Sequence, residues 1–460
     1  MTIMKLGTDE IRNKVKNHSL TVAVIGVGWM GLPTACLFGE AGANVIGVDL
    51  NPEVVEKVNR GESYLLEPGL PHLLKRLTSE KRLRATSNIK EAASESDAII
   101  LLVPTLIDKQ RSADYSAVEN ACRDIGKGIM SGCLLIFEST CGPGVTERLV
   151  KTAVEKYSGL KAGVDFSLAY SPIRAMSGRA LRDIQSYPKV VGAIDEKSLE
   201  VASALLSTIV KGEIVKVRDI KTAEASKLFE TIYRDVNIAL SNEFAMLCEK
   251  TGIDYDEARE AANTLKEYCH LHIAGVGVGG HCLPVYPYLL ASEAERLEAR
   301  LKLVLNARDI NDGMPSHTAR LVADGLRASG RTMKGSKVVV LGISYRANVK
   351  ETRFSPSIEL ITLLKRRGAR VIVFDPKFSA TEIADMGYAT EPTLKASIEK
   401  ANCLVITVPH DEFRRIDPRE LAANVSKSAV IVDCAHILSP FLVEKAGLIY
   451  RGIGRGVWTR

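Results

Sequence analysis

Three short apolar runs near the start of the chain alternate with stretches of helical periodicity. Thr21 to Val27 (TVAVIGV), Ala43 to Val48 (ANVIGV) and Ala98 to Val103 (AIILLV) are rich in β-branched residues, and the first ends in glycines. Unbroken apolar runs of this length suit strands buried on both faces. Leu134 to Phe137, Ser167 to Tyr170 and Val190 to Gly192 continue the series, so alternation with helices predicts a parallel sheet covered on both sides across residues 21–213. From Thr222 to Thr251 there are thirty residues with neither Gly nor Pro, opened by a capping-type Thr and stopped at Gly252. A single helix of that length reaches about 45 Å, longer than a small domain is wide, and predicts a spine between domains or subunits. Further helical pattern follows from Asp256 to Leu265 and from Glu293 to Ser329.

After the turn-rich Ala328 to Lys337, the opening pattern returns. Lys337 to Leu341 (KVVVL) followed by Gly342 echoes the first strand, VIVFDP at 371–376 echoes VIGVDLNP at 45–52, and LVITVP at 404–409 echoes LLVP at 101–104, with offsets of 316, 326 and 305 residues. The repeat predicts a second domain of the same kind. The expected architecture is α/β, with two doubly wound Rossmann-like domains joined by a long central helix. Residues 1–20 form an N-terminal arm, 21–213 and 331–460 the two α/β domains, and 214–330 the helical centre.

Composition narrows the class. With 460 residues, 46% hydrophobic and 25% charged, the chain can bury several cores and is neither disordered nor fibrous. The charge of +6 is spread along the chain, without a basic run that would imply nucleic acid. It suits a phosphorylated or carboxylated small substrate as well as it suits simple solubility. No apolar stretch reaches the 18 or so residues of a spanning helix, and the first twenty residues lack the apolar segment of a leader. A cytoplasmic protein without membrane contact is expected, and its nine cysteines read as reduced thiols.

Gly26-Val27-Gly28-Trp29-Met30-Gly31 follows a strand and opens a helical stretch, the context in which glycines give a tight turn and close approach to a pyrophosphate. Asp49 ends the second strand, where a carboxylate accepts from ribose hydroxyls and repels the extra phosphate of NADP. NAD is the expected cofactor, with Thr105 and Thr140 on nearby loops as further contacts. Gly275 to Pro284 (GVGVGGHCLP) places four glycines in six residues ahead of Cys282, a backbone bare enough to wrap phosphates and leave a thiol approachable. Cys141, beside Ser139-Thr140, is the second candidate nucleophile. His270, His272, His281 and Cys282 match no standard zinc spacing, so no metal is expected. On the long helix Lys227, Thr231, Arg234 and Ile238 share one stripe, and Leu228, Ile232, Val236 and Ala239 form the buried one. On spacing alone the first stripe reads as a solvated face; a partly buried lysine there could instead stabilise charge on a reacting oxygen.

Taken in order, these segments resemble the UDP-glucose/GDP-mannose dehydrogenase family, and most of all its branch acting on UDP-N-acetylhexosamines. The carriers are GVGWMG (26–31), VPT (103–105), ST..PG.TE (139–147), EASKL....YRDVNIALSNE (224–243), GVGGHC (277–282), ARDINDGMP (307–315) and Y.......R.SP (345–356). The resemblance implies oxidation of a sugar C6 alcohol to a carboxylate with two NAD molecules, through a thioester on Cys282, with Lys227 stabilising the oxyanion. It implies a UDP-sugar between the domains, contacted by Arg234, Gly277, Gly279, Gly280, Tyr345, Arg346 and Arg353, and a homodimer built on the long helix.

Three positions depart from the family pattern. Pro172-Ile173 stands where the family has Pro-Glu, Thr231 where it has Asn, and Tyr286 where it has Asp. A carboxylate suited to activate water is absent from two expected places; His281 and Glu230 are the residues that could stand in. Two rival readings are a β-hydroxyacid dehydrogenase, which needs no cysteine, and a protein that binds NAD and nucleotide sugar without oxidising it.

Overall fold

A computed structural model describes residues 2–457, and 2–455 with their side chains. The chain divides into two compact units: residues up to Glu230 together with Tyr288–Arg300, and Thr231–Pro287 together with the residues from Leu301 onward.

The first unit is built on eight strands: β1 (Thr21–Ile25), β2 (Asn44–Val48), β3 (Leu83–Thr86), β4 (Ala98–Leu101), β5 (Leu134–Phe137), β6 (Ser167–Tyr170), β7 (Lys189–Ala193) and β8 (Ile214–Lys216), in the order β8-β7-β6-β5-β4-β1-β2-β3. All neighbours are parallel except β6 and β7. The apolar runs face both ways, as their lack of polar alternation predicts. Val22, Val24, Ile100 and Ile136 pack on one side of the sheet, and Ala23, Ile25, Ile99, Leu101 and Phe137 on the other. The chain winds outward in both directions from β1, which creates a crevice at the carboxyl ends of β1 and β4.

The amino-terminal stretch is part of this unit. Its helix α1 (Thr8–Lys16) buries Ile11 and Val15 in the same core, and Arg12 donates at 3.1 Å to Ser207 Oγ, just past helix Glu196–Leu206.

The long helix spans Ile220–Thr251. Asp219 accepts from the Thr222 N–H at 2.8 Å and from its hydroxyl at 2.7 Å, anchoring the first turn, and Gly252, at φ +75°, ends the helix. The predicted helical stretch from Glu293 to Ser329 is in fact two helices, Tyr286–Arg296 and Lys302–Ala328. No Gly or Pro marks the break. Glu298 takes a left-handed conformation at φ +57°, and the Ala299 N–H returns to the Ala294 carbonyl at 2.8 Å, a terminating geometry that a non-glycine residue hides from sequence inspection.

The second unit carries β9 (Lys337–Leu341), β10 (Arg370–Phe374), β11 (Cys403–Ile406), β12 (Val430–Asp433), β13 (Ile449–Gly452) and β14 (Gly456–Val457), ordered β10-β9-β11-β12-β13-β14 and parallel except for the last pair. The predicted repeat is present in detail. Gly26, at φ +93°, donates its N–H to Val48 O at 2.8 Å, and Gly342, at φ +104°, donates to Phe374 O at the same distance. Within this unit the central helices are tied together by buried polar groups. Arg308 pairs with Asp235 at 2.6 Å and also with Asp312, while Asn311 donates to Asp235 Oδ1 at 3.0 Å and accepts from Asn242 at 2.9 Å.

Candidate active site

In the first unit the glycine turn sits at the switch-point crevice. A side chain at Gly26 would lie 2.4 Å from Leu102 O, and one at Gly31 would lie 1.8 Å from Gly26 O, so neither position tolerates a Cβ. Gly28 is different: nothing lies within 4 Å of where its Cβ would be. The turn is thus closed against the sheet and open at Gly28, just ahead of helix α2 (Gly31–Ala41). That cradle fits a pyrophosphate. Trp29 is exposed at its rim and Met30 packs partly into the core beneath. Asp49 follows β2 and is half-buried, with one oxygen accepting from the Asn51 N–H at 2.9 Å. Tyr64 donates its hydroxyl to Val27 O and braces the turn from outside, a contact without a local sequence signal.

The loops after β4 and β5 are joined. Thr105 Oγ1 donates to Thr140 O at 2.7 Å, and Ser139 Oγ donates to Val103 O at 2.6 Å. Buried Glu224, at the start of the long helix, organises the same region by accepting from the Thr146 N–H at 2.8 Å, the Thr146 hydroxyl at 2.6 Å and the N–H of Gly144. Cys141 is part of this staple. Its fully buried thiol donates to Glu224 at 3.3 Å, and burial together with that carboxylate pushes its pKa well above the ordinary range. Cys141 is therefore a structural thiol, because a nucleophile must ionise and be reached.

Glu224 also fixes where Lys227 emerges, three residues further along the helix. Lys227 and Thr231 are both buried, as are Leu228, Ile232 and Ala239. The lysine stripe is therefore not a solvated face. The exposed one is apolar: Phe229, Tyr233, Leu240, Phe244 and Leu247. Ile173 packs partly against the first unit's core, and its neighbour Arg174 pairs with Glu230 at 2.9 Å.

In the second unit the glycine-rich segment preceding Cys282 is pressed against the loop after β9. A Cβ at Gly279 would lie 2.7 Å from Phe354 O, one at Gly280 would lie 2.8 Å from the Tyr345 ring, and one at Gly277 would lie 3.0 Å from Asn311 O. The glycines permit this contact. Gly280 N–H donates to Arg353 O at 3.0 Å, and Tyr345 N–H donates to Glu351 O at 2.9 Å. Cys282 is half-exposed, and its carbonyl accepts the Tyr286 N–H at 2.9 Å, opening the next helix. Burial raises the Tyr345 hydroxyl pKa; Arg346 opposes the shift, Glu351 and Cys282 reinforce it, and Arg234 also opposes it. Tyr345, Arg346, Cys282 and Arg234 therefore share one electrostatic neighbourhood. His272 belongs to its edge, with a pKa lowered by burial and then by His270 and Arg234. His281 lies 3.2 Å from a Glu351 oxygen, and Arg353 is exposed beside Phe354. Among the described residues no group of three or more His, Cys, Asp or Glu is placed to hold a metal ion.

A switch-point glycine turn closed by a carboxylate-ended strand, repeated in a second doubly wound domain beside a cysteine loop, defines a two-domain NAD-dependent dehydrogenase. Sequence models of the UDP-glucose/GDP-mannose dehydrogenase family match in chain order: the NAD binding domain over residues 20–210, the central domain over 221–313 and the UDP binding domain over 339–440. The chain belongs to this family, and NAD is its cofactor. It is 34% identical to the UDP-N-acetyl-D-mannosamine dehydrogenase of Pyrococcus horikoshii, across 95% of this chain and 100% of that protein. It is 32% identical to an NDP-N-acetyl-D-galactosaminuronic acid dehydrogenase of Ralstonia nicotianae, across 88% and 94%. Among solved structures, the UDP-D-ManNAc dehydrogenase of P. horikoshii superposes with a TM-score of 0.87 over 95% of this chain and 100% of that one. A UDP-glucose dehydrogenase of Pyrobaculum islandicum, 28% identical, superposes with 0.84 over 96% and 98%. The chain thus oxidises nucleotide sugars with NAD, and no helix among the described residues is long and apolar enough to cross a membrane.

Proposed function

We propose that this enzyme oxidises the C6 alcohol of a UDP-N-acetylhexosamine to the carboxylate through a covalent thioester on Cys282. The observation that carries the reading is the bare glycine loop that holds a half-exposed thiol beside Tyr345, Arg346 and Arg234. When bound, NAD would supply the hydride acceptor, once for the alcohol carbon and once, after exchange, for the carbon held on Cys282. Gly26, Gly28 and Gly31 shape its pyrophosphate site, Trp29 and Met30 border it, Asp49 takes the ribose hydroxyls, and Thr105 and Thr140 line the approach. Cys282 thiolate adds to the aldehyde carbon, and the aldehyde oxygen, now anionic, is stabilised by Lys227. Water then cleaves the C–S bond, giving the carboxylate and returning the thiol, with Thr231 orienting that water. Arg234, Arg346 and Arg353 complement the diphosphate, while Gly277, Gly279, Gly280 and Tyr345 hold the nucleotide sugar by shape. Nine unpaired cysteines suit a reducing, cytoplasmic setting.

NADH formation by the purified protein across UDP-glucose and the UDP-N-acetyl derivatives of glucosamine, mannosamine and galactosamine tests this reading. Two NADH per N-acetylhexosamine consumed are expected. One NADH per sugar would remove the thioester step, and binding of NAD and UDP-sugar without NADH would favour the non-oxidising protein that Ile173, Thr231 and Tyr286 bring into consideration.

Asp49 gives a second expected result. A 2′-phosphate would confront its carboxylate in a half-buried crevice, so NAD should be preferred strongly over NADP. Asp49→Ala should narrow the ratio of kcat/KM values by roughly tenfold or more, an effect worth about 1.4 kcal/mol. Equal use of both cofactors by the unaltered enzyme would refute the assignment.

The exposed stripe Phe229, Tyr233, Leu240, Phe244 and Leu247 recurs every three, four or seven residues, the spacing of a helix seam. We assign it to a homodimer contact along the long helix, in place of the Leu228 stripe, which the chain buries itself. Light scattering should give a dimer at micromolar concentration, and Tyr233→Glu with Phe244→Glu should shift it to monomer.

A further inference from the structure

The two glycine turns of the repeat differ in what fills them. Asp49 and Asp375 occupy equivalent positions, 326 residues apart, and each accepts from the N–H two residues on, Asn51 or Lys377, at 2.9 Å. The second oxygen separates them. Asp375 is completely buried, and its Oδ2 accepts from the Ile343 N–H at 2.8 Å, the Ser344 N–H at 3.0 Å, the Ser344 hydroxyl at 2.8 Å and His410 Nε2 at 3.2 Å. His410 is also fully buried, and its Nδ1 accepts from the Asn348 N–H at 3.0 Å, so the proton of the imidazole sits on Nε2, facing Asp375. Where the first turn is open to an anionic ligand, the second is filled by the protein's own carboxylate. Burial works against that charge, yet the bonds from His410, Ser344 and Lys377 outweigh it and hold the pKa at about 2.

The plugged turn leads directly to the cysteine loop. Ser344 precedes Tyr345, whose ring limits Gly280 and whose N–H is tied to Glu351 O. Glu351 in turn reaches His281, the neighbour of Cys282, and Arg353 O takes the Gly280 N–H. The segment 343–353 is therefore pinned at Ser344 by Asp375 and at Asn348 by His410, and its other face is the wall against which the thiol loop rests.

We propose that Asp375, backed by His410, is a positioning residue for the sugar-nucleotide half of the reaction: it fills the anion position of the second glycine turn and so fixes Tyr345 against the Cys282 loop. The proposal rests on the reading of Cys282 as the reacting thiol, but its test does not require turnover. The rate at which iodoacetamide alkylates Cys282, assigned by mass spectrometry, reports the seating of the loop. Calorimetric titrations with UDP and with NAD report the two domains separately.

In Asp375→Asn, loss of the charge that five donors address should release the segment. Alkylation should quicken by about threefold or more and UDP should bind roughly tenfold more weakly, with NAD affinity unchanged. In Asp375→Gly, added formate should restore slow alkylation, since it can re-enter the vacated anion position; a merely destabilised fold would not respond. An unchanged alkylation rate, or an equal loss of NAD binding, would overturn the proposal. Should both variants fail to fold, Ser344→Ala removes one donor to the same oxygen and must quicken alkylation in the same direction; a wild-type rate would overturn the proposal equally. Failure of the thioester reading itself would appear separately, as turnover retained by Cys282→Ala.

Discussion

Cys282→Ala enzyme is expected to lose steady-state turnover on its UDP-sugar by roughly 10³-fold or more, because the proposed covalent intermediate forms on this thiol. The alternative nucleophile is excluded by its surroundings: Cys141 is fully buried against Glu224 and ionises only far above neutral pH. What remains is at most a first hydride transfer, so the variant should form no more than one NADH per sugar. In the unaltered enzyme, thioester hydrolysis should be the slow step. Hydride transfer needs alignment and an oxyanion partner, the role proposed for buried Lys227, whereas hydrolysis needs an activated water. Ile173 packs into apolar surroundings and offers no proton acceptor, and of the two stand-ins His281 lies against Glu351 and Glu230 against Arg174, so the carboxylates of the family pattern are not replaced in kind. A rapid burst approaching two NADH per active site, followed by a slower steady rate that Tyr286→Asp raises, is the expected signature. Linear NADH release with no covalent adduct on Cys282 would show that hydrolysis is not limiting.

Asp235→Ala should destabilise the second unit by about 3–5 kcal/mol, the cost of leaving a buried charge without its partner. Arg308 is 1% exposed and gives Asp235 its 2.6 Å contact, while its other partner, Asp312, is considerably more solvated. Burial pushes the Asp235 pKa up and Arg308 pulls it down, so the pair survives through mutual attraction and the added donor of Asn311. For a unit of this size the loss corresponds to a fall in Tm of roughly 10 °C. Asp235→Asn, which keeps the acceptor oxygen, should cost less. Urea unfolding followed by circular dichroism measures both, and a change below about 1 kcal/mol for the alanine variant would show that Asp312 alone neutralises the arginine.

The position of Asp235 beside Arg234 illustrates what could be read in advance and what could not. Each strand of the doubly wound sheets follows from a short apolar run, because burial on both faces is a requirement that every residue of the run meets locally. The cofactor turn was equally legible: positive φ at Gly26 and the absence of room at Gly31 leave only glycine admissible, so the geometry is written in the residues themselves. The long helix announced itself by thirty residues without a breaker, and the second domain by the return of strand, glycine and aspartate at nearly constant offset.

The sequence by itself therefore determined the architecture, the cofactor cradle and the cysteine loop, since each depends on backbone needs satisfied within a few residues. Tertiary structure alone decided which polar groups meet. Glu224 with Thr146, Asp235 with Arg308, and Asp375 with Ser344 and His410 pair residues from separate stretches of chain. The same is true of the Cys141 thiol, which only the fold shows to be sealed, and of Lys227, whose apparently solvated stripe is buried while an apolar one faces outward. An apolar run needs only to be apolar, whatever it packs against. A buried charge needs one particular partner at hydrogen-bond distance, and that partner is fixed by how the chain returns on itself.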